Sequence, residues 1–190
     1  MTGLIILAAG QSGRLGQPKQ NLVLQGKTLL QRAVETALAS VCKPVVVILG
    51  ANEEIIRPTI DPYRVKIIHN AEWREGMASS IRLGIGTLQK SAITSAILML
   101  CDQPFVSANL LNELAKHRLD ADIIACAYDD TLGTPVLFSS ACFDELQLLT
   151  GDGGAKKLLL KHPETVISVA FPLGGIDIDT SEDYGRLSHL

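Results

Sequence analysis

Continuous aliphatic runs alternate along the chain with segments whose apolar residues recur every three or four positions. The run at residues 45–49 contains only valine, isoleucine and leucine, which is typical of a strand buried on both faces in a parallel sheet. Runs of this kind predict strands at residues 3–9, 45–49, 65–69, 96–100, 122–127, 134–138 and 166–171. Such a sheet needs helices on both of its faces.

The helical segments lie between these strands. Thr28 and Gln31 precede an apolar stripe with the spacing of a capping box. Further helices are predicted at residues 52–60, 80–88, 107–117, 140–149, 154–161 and 181–187. This alternation predicts a three-layer α/β/α, doubly wound, Rossmann-like fold, with residues 1–190 as one domain. The strands on either side of residues 129–133 indicate a hairpin or an antiparallel insertion, so we expect a mixed but mostly parallel sheet.

Composition narrows the function classes. Hydrophobic residues make up 47% of the 190 positions and charged residues 19%, which favours a packed core over disorder. A net charge of -3 gives no basic footprint for nucleic acid. No apolar run approaches the roughly 20 residues of a membrane helix, and no basic leader of a signal peptide is seen. The four cysteines lack metal-ligand spacing. We therefore expect a cytoplasmic protein with reduced thiols and neither nucleic-acid nor membrane partners.

A glycine-rich loop follows the first predicted strand. It contains the glycines Gly10, Gly13 and Gly16 and the cations Arg14 and Lys19. Glycines let backbone N–H groups approach a ligand, and the two cations neutralise phosphate charge. The spacing fits neither the dinucleotide fingerprint nor the P-loop. Because open α/β sheets bind ligands at the carboxyl ends of their strands, the loop predicts a triphosphate site; the alternative is a solvated surface turn.

Three aspartates are candidate metal ligands. Asp102 ends a hydrophobic strand, where it is placed to hold Mg²⁺ against phosphates or to close an Asx-turn. Asp177 and Asp179 alternate with isoleucines, so an extended segment directs both carboxylates to one side. A divalent ion would relieve their repulsion; exposure on an edge strand is the alternative. Thr180 and Asp183 have the spacing of a cap for the final helix.

Two further segments have polar groups before predicted helices. Gly76, Ser79 and Ser80 follow the only tryptophan, and their N–H and hydroxyl groups suit either a base or phosphate contact or a plain N-cap. The turn at residues 151–157 brings two lysines into a helix, which suits an anionic second substrate or a simple loop. The segment around Thr134 is equally ambiguous.

These parts suit attack on an α-phosphate with pyrophosphate as the leaving group. Such a transfer depends on positioning and charge neutralisation, with Mg²⁺ bridging the phosphates. If the nucleophile is itself a phosphate oxygen, it is already anionic and needs no general base. The lack of any histidine motif is consistent with this reaction, whereas a kinase acting on a hydroxyl more often needs a base.

The motifs together resemble a known family. Residues 7–19 have the pattern Leu-Ala-Ala-Gly-x-Ser-x-Arg-x-Gly-x-Pro-Lys, which is similar to the signature of the MobA-like NTP transferases within the GT-A-like nucleotidyltransferases. The motifs at residues 70–80, 102–104, 151–155 and 177–183 resemble those of the molybdenum cofactor cytidylyltransferase branch. These motifs span nearly the whole chain in the order that the family has.

The resemblance implies transfer of CMP from CTP to the phosphate of molybdopterin, with a molybdoenzyme or its chaperone as downstream recipient. Ala9 favours cytosine, because guanylyl-transferring relatives tend to have glycine there. The catalytic residues implied are Arg14, Lys19 and Asp102. The nucleotide-binding residues implied are Leu7, Ala8, Ala9, Gly10, Gly13, Arg14, Lys19, Gly76, Ser79, Ser80 and Asp102. The implied metal ligands for Mg²⁺ are Asp102, Asp177 and Asp179.

The acceptor end differs from the family pattern. The branch often has Gly-His-Pro where this chain has Thr134 between Gly133 and Pro135. Thr134, Gly154 and Lys156 are the candidates for acceptor contacts. The alternatives are transfer to a sugar or polyol phosphate, guanylyl transfer to molybdopterin, and a module that binds the nucleotide or the cofactor without turnover.

Overall fold

The computed structural model describes residues 1–187, of which Arg14, Ser181 and Leu187 are described as backbone only. Seven strands form one twisted sheet in the order β5-β4-β1-β6-β8-β7-β9, and β2 and β3 form a separate small hairpin. The strands are β1 (Thr2–Ala8), β2 (Val23–Leu24), β3 (Lys27–Thr28), β4 (Val45–Leu49), β5 (Lys66–His69), β6 (Ser95–Leu100), β7 (Ile123–Tyr128), β8 (Thr131–Ser139) and β9 (Val166–Ala170).

The helices cover both faces of this sheet. They are α1 (Leu29–Ala39), α2 (Glu53–Ile56), α3 (Met77–Leu88), α4 (Ala108–Lys116), α5 (Phe143–Gln147), α6 (Lys156–Lys161) and α7 (Ser181–Leu187). Alternate residues of β1 enter two different cores: Leu4 and Ile6 pack with α1 and α4, while Ile5 packs with α3 and α5. The predicted three-layer α/β/α arrangement is therefore confirmed.

The predicted mixed sheet is also confirmed. Strand β8 runs antiparallel to both β6 and β7, while the β1–β4, β1–β6, β4–β5 and β7–β9 pairs are parallel. The β7–β8 turn is shorter than predicted, because Asp129 and Asp130 both adopt positive φ angles, of 48° and 55°. A two-residue turn with two positive φ angles matches the twist of a hairpin, so β8 begins at Thr131.

Several element boundaries differ from the prediction. Helix α2 ends at Ile56 and continues as a 3₁₀ turn through Thr59, because Pro58 supplies no N–H for the α-helical ladder. Helix α3 begins at Met77, three residues earlier than predicted. The β2–β3 hairpin was not predicted, since two-residue strands leave no periodic signal. All four cysteines are free and buried, as expected.

None of the helices within residues 1–187 is long and apolar enough to cross a membrane.

The predicted capping box at the start of α1 is present. The Gln31 N–H donates to Thr28 Oγ1 at 3.1 Å, and the Thr28 N–H donates to Gln31 Oε1 at 2.9 Å. We expect Thr28→Ala to lower the free energy of unfolding by about 1 kcal/mol, measured by urea denaturation. Thr36→Ala is the control, because Thr36 lies within the helix where it caps neither end. Equal losses in both variants would contradict the assignment.

Candidate active site

The glycine-rich loop after β1 is held in shape by a buried glutamine. The side chain of Gln20 donates from Nε2 to the carbonyl oxygens of Ala8, at 2.8 Å, and Gly10, at 3.0 Å. Ser12 adopts a left-handed φ of 58° and accepts the Lys19 N–H at 3.0 Å. A buried amide must find hydrogen-bond partners, so Gln20 fixes the shape of the loop from its buried side. The other side of the loop stays open.

Lys19 joins two acidic residues that are far apart in sequence. Its ammonium forms a short ion pair with Asp102, which follows β6, and a second one with Asp179 Oδ1 at 2.8 Å. Strands β1 and β6 are parallel neighbours, so their carboxyl ends place Lys19 and Asp102 on the same edge of the sheet. The structure therefore brings together three residues predicted to act at the site.

Burial and charge act in opposite directions on Lys19. Desolvation by burial lowers the pKa of its ammonium, but the attraction of Asp102 and the hydrogen bonds to Asp102 and Asp179 raise it more, so the pKa lies above its usual value. The side chains of Lys19 and Asp102 are only 19% and 9% exposed, whereas that of Asp179 is 41% exposed. Lys19 therefore stays protonated, and its main ion-pair partner is the buried carboxylate of Asp102.

Asp102 retains a free coordination position. Its Oδ1 is buried and receives no hydrogen bond from any residue that the structure describes. An unsatisfied carboxylate oxygen is costly in the interior, and Mg²⁺ or Mn²⁺ prefers oxygen ligands of this kind. Within residues 1–187 no three His, Cys, Asp or Glu side chains are grouped as a complete metal site. The residues fit a divalent ion held by one or two carboxylates together with substrate phosphates, which is usual for Mg²⁺.

The segment that contains Asp177 and Asp179 is not a strand. Instead, the Ile178 N–H donates to the Asp102 carbonyl at 3.2 Å, and the Ile178 side chain is fully buried. Asp177 retains exposed surface, yet nearby atoms desolvate its carboxyl group. This desolvation is the main reason that its pKa is raised to about 6, followed by repulsion from Asp102 and Asp179. The three carboxylates therefore share one electrostatic environment.

Gln103 links three segments behind these carboxylates. It is buried, donates from Nε2 to the carbonyls of Thr134, at 3.2 Å, and Gly174, at 2.9 Å, and accepts the Thr134 hydroxyl at 2.9 Å. The Thr134 hydroxyl therefore donates its hydrogen to Gln103 within the protein. Through this contact, Thr134 helps to order the backbone next to Asp102.

A cavity of about 350 Å³ opens above the glycine-rich loop. Its walls come from β1 and the following loop, from β6 with Asp102, from the N-terminus of α3 and from the turn before α6. The lining residues are Leu7, Ala8, Ala9, Gly10, Gln11, Lys19, Gln20, Trp73, Arg74, Gly76, Met77, Ser80, Leu100, Cys101, Asp102 and Asp152. Most residues predicted to bind the nucleotide therefore line one cavity.

The two predicted serines occupy different positions. Asn70 is buried and donates from Nδ2 to Ser79 Oγ, at 2.8 Å, and to Ser80 Oγ, at 2.9 Å. Ser79 in turn donates to the backbone carbonyls of Glu72 and Gly76. Ser79 thus fixes the loop before α3 and lies outside the cavity lining, whereas Ser80 faces the cavity.

Gly76 is required by a close approach of the turn before α6. Its φ is +117°, and an added Cβ would lie 2.5 Å from both Asp152 Oδ1 and the Gly151 carbonyl oxygen. The Ala78 N–H donates to that same carbonyl at 3.1 Å. Only glycine accommodates this contact. The turn is thereby docked on the N-terminus of α3, which brings Asp152 into the cavity.

Three further predicted residues, Gly13, Gly154 and Lys156, do not line the cavity. Gly13 is exposed and does not line it, and the side chain of Arg14 lies outside the described part of the chain. Gly154 packs against Met77, where an added Cβ would lie 2.8 Å from Sδ. Lys156 is exposed and lines a separate hollow beside the β7–β8 turn.

Sequence reasoning missed four residues of the site. Gln20, Gln103 and Asn70 are buried amides that hold the loops, and Asp152 lines the cavity. All four lie inside or beside the sequence motifs from which the site was predicted. No periodicity marks them: the three amides have partners that only the tertiary fold supplies, and Asp152 enters the cavity lining only because its turn packs on Gly76.

A glycine-rich loop and an aspartate at adjacent carboxyl ends of an α/β sheet are typical of a site that binds phosphates together with a divalent metal. The family model described as "MobA-like NTP transferase domain" matches residues 4–166, so the chain belongs to this family and is a nucleotidyltransferase.

Relatives within the family have diverse names. The chain is 31% identical to nicotine blue oxidoreductase of Paenarthrobacter nicotinovorans, with 96% of this chain and 94% of the relative covered. It is 29% identical to the purine catabolism protein PucB of Bacillus subtilis, with 95% and 92% covered. It is 24% identical to the molybdenum cofactor cytidylyltransferase of Escherichia coli, again with 95% and 92% covered.

Solved structures agree with the fold. Rv0371c from Mycobacterium tuberculosis superposes with a TM-score of 0.84 at 32% identity, covering 100% of this chain and 98% of that one. A complex of Rv0371c with manganese superposes with a TM-score of 0.81 at 28% identity, covering 99% and 98%. A similar protein thus takes up a divalent metal.

The ion pair between Lys19 and Asp102 is testable by a double-mutant cycle. Lys19→Met or Asp102→Asn leaves one buried group without its partner, so each should lower the free energy of unfolding by about 1–3 kcal/mol. The double variant should lose less than the sum, with a coupling energy of about 0.5–3 kcal/mol. Urea denaturation without divalent cations measures these values.

Asp179→Asn is the matched control for this cycle. Its carboxylate touches the same ammonium but is 41% exposed, so solvent screening limits its loss to about 0–1 kcal/mol. Strict additivity of the Lys19 and Asp102 losses would show that the two side chains are energetically independent.

Proposed function

We propose that the protein transfers CMP from CTP to the phosphate of molybdopterin and releases pyrophosphate. The observation that carries this proposal is the ion-pair contact of Lys19 with Asp102 and Asp179 at the wall of the cavity above the glycine-rich loop. The similarity to a molybdenum cofactor cytidylyltransferase along 95% of the chain and the alanine at position 9 support the choice of base and acceptor.

In this reaction a phosphate oxygen of the acceptor attacks the α-phosphorus of CTP. The new P–O bond forms as the bond to the bridging oxygen breaks, and pyrophosphate leaves with the electron pair. The acceptor oxygen is already anionic, so no side chain needs to remove a proton; the described residues lining the cavity include no histidine. The chain has only to position the phosphates and neutralise their charge.

Lys19 has the central part in this neutralisation. Its ammonium faces the cavity and is held by two carboxylates, so it can exchange one of them for an incoming phosphate oxygen without losing its charge. Backbone N–H groups of the glycine-rich loop, whose shape Gln20 fixes, cradle the triphosphate. Arg14 is the second cation in that loop.

We propose Mg²⁺ as the metal, held by Asp102 with Asp179 or Asp177. When bound, it supplies charge neutralisation on the reacting phosphates. The free Oδ1 of Asp102 is the strongest support for its place. We further propose that residues 1–190 act as one catalytic domain in the cytoplasm and that a molybdoenzyme or its chaperone receives the product.

The test is pyrophosphate release with each pairing of CTP, GTP, ATP or UTP with molybdopterin or a sugar or polyol phosphate. We expect release with CTP and molybdopterin in the presence of Mg²⁺, and none after removal of the metal with EDTA. If pyrophosphate is released only with a sugar or polyol phosphate, the acceptor belongs to that class and not to molybdopterin. If nucleotides bind but no pair releases pyrophosphate, the protein is a binding module without turnover.

Asp102→Asn is the variant that tests the site within this assay. It preserves the shape of the side chain but removes its charge, so we expect kcat to fall about 10²-fold or more. Asp61→Asn is the control, because Asp61 is an exposed aspartate outside the cavity lining. A wild-type rate in Asp102→Asn would remove Asp102 from the mechanism.

A further inference from the structure

Asp152 is an exposed carboxylate that lines the cavity proposed to hold the nucleotide, and the phosphate chemistry gives it no role. It lines the cavity beside Gly76 and Ser80, on the α3 side, while Lys19 and Asp102 come from the β1 and β6 side. Among the residues whose side chains the structure describes, none donates a hydrogen bond to its carboxylate or forms an ion pair with it. A carboxylate repels phosphate, so the ligand group that it faces must be one with hydrogen-bond donors, which a nucleotide offers on its base and its ribose.

The position of Asp152 is built by several contacts. Glu75 forms two hydrogen bonds with Arg82, at 2.7 and 2.6 Å, and Arg82 also donates to the Leu149 carbonyl at 2.7 Å. The Ala78 N–H holds the Gly151 carbonyl from the other side. These contacts fix the backbone on both sides of the turn, and the missing side chain of Gly76 leaves room for the Asp152 carboxylate.

Ser80 supplies the complementary group. Asn70 donates a hydrogen to Ser80 Oγ at 2.9 Å, so the serine oxygen already acts as an acceptor. Its own hydrogen is given to no acceptor in the described part of the chain, and the residue lines the cavity. The cavity wall therefore presents an acceptor on Asp152 and a donor on Ser80.

We propose that this pair reads the base: Asp152 accepts from the exocyclic amino group of cytosine, and Ser80 donates to the adjacent ring nitrogen. Cytosine presents a donor at N4 and an acceptor at N3. Uracil presents the reverse, an acceptor at O4 and a donor at N3, so its O4 faces the Asp152 carboxylate as a second acceptor and its N3 offers no acceptor to the Ser80 hydrogen. The proposal rests on the proposed function in placing a nucleotide in this cavity, and it adds Asp152 as the residue that determines base specificity.

The test compares binding of CTP and UTP by calorimetry with Mg²⁺ present, so that it needs no acceptor. The wild-type protein should bind CTP more tightly than UTP by about tenfold to a hundredfold, the value of one hydrogen bond to a charged group. Asp152→Asn should reduce this ratio at least tenfold, because its amide can donate to O4 of uracil. Asp152→Ala should weaken CTP binding but should not weaken UTP binding, because it also removes the repulsion between the carboxylate and O4 of uracil.

Two controls separate base reading from other effects. Lys19→Met should weaken CTP and UTP by the same factor, because Lys19 contacts phosphate in both. Asp61→Asn should leave both affinities unchanged. Circular dichroism establishes that each variant is folded, and Ser80→Ala provides a second variant that should also reduce the CTP preference.

Several outcomes would overturn the proposal. A CTP-to-UTP ratio that is unchanged in both Asp152→Asn and Ser80→Ala, or a wild-type protein with no preference for CTP, would exclude this pair as the base reader. If CMP transfer to molybdopterin occurs while the ratio is unchanged, the proposed function stands and this inference fails. If the ratio changes as expected while no acceptor is modified, the base reader stands and the proposed function fails.

Discussion

The buried ammonium of Lys19 is the charge around which the site is arranged. Without it, Asp102 would be an uncompensated carboxylate at the end of a hydrophobic strand, and the cost of burying such a charge is several kcal/mol. The pairing also ties three parts of the chain, at residues 19, 102 and 179, to one point. Lys19 thus holds the glycine-rich loop, Asp102 and Asp179 together.

Buried amides provide the second level of organisation. Gln20, Gln103 and Asn70 each satisfy backbone carbonyls or hydroxyls that loops would otherwise bury without partners. Gln20 and Asn70 hold their own loops, because their partners lie within 12 residues. Gln103 joins separate segments, since its partners lie 31 and 71 residues away. These hydrogen bonds set the positions of the loops around the cavity, and such support is the condition for catalysis by positioning.

The structure brings the residues at one end of the predicted site together, but not those at the other. The glycine-rich loop, Lys19 and Asp102 lie at neighbouring carboxyl ends of the sheet, whereas two of the candidates for acceptor contacts are placed or engaged elsewhere. In this chain Thr134 is bound to Gln103, and Lys156 lies at a separate hollow. The relatives have names of different activities, so the shared fold by itself does not fix the second substrate.

Much of the fold was determined by the sequence itself. Aliphatic runs and helical stripes were sufficient to predict the order of elements, the mixed sheet and the α1 capping box, because burial periodicity is a local property of the chain. The motifs also identified Lys19, Asp102 and the glycine-rich loop. Only the tertiary structure decided which polar groups meet. It placed Asp152 beside Gly76, turned Ser79 and Thr134 inward and joined Lys19 to Asp179. These contacts depend on loops packed across the sheet, which no spacing along the chain records.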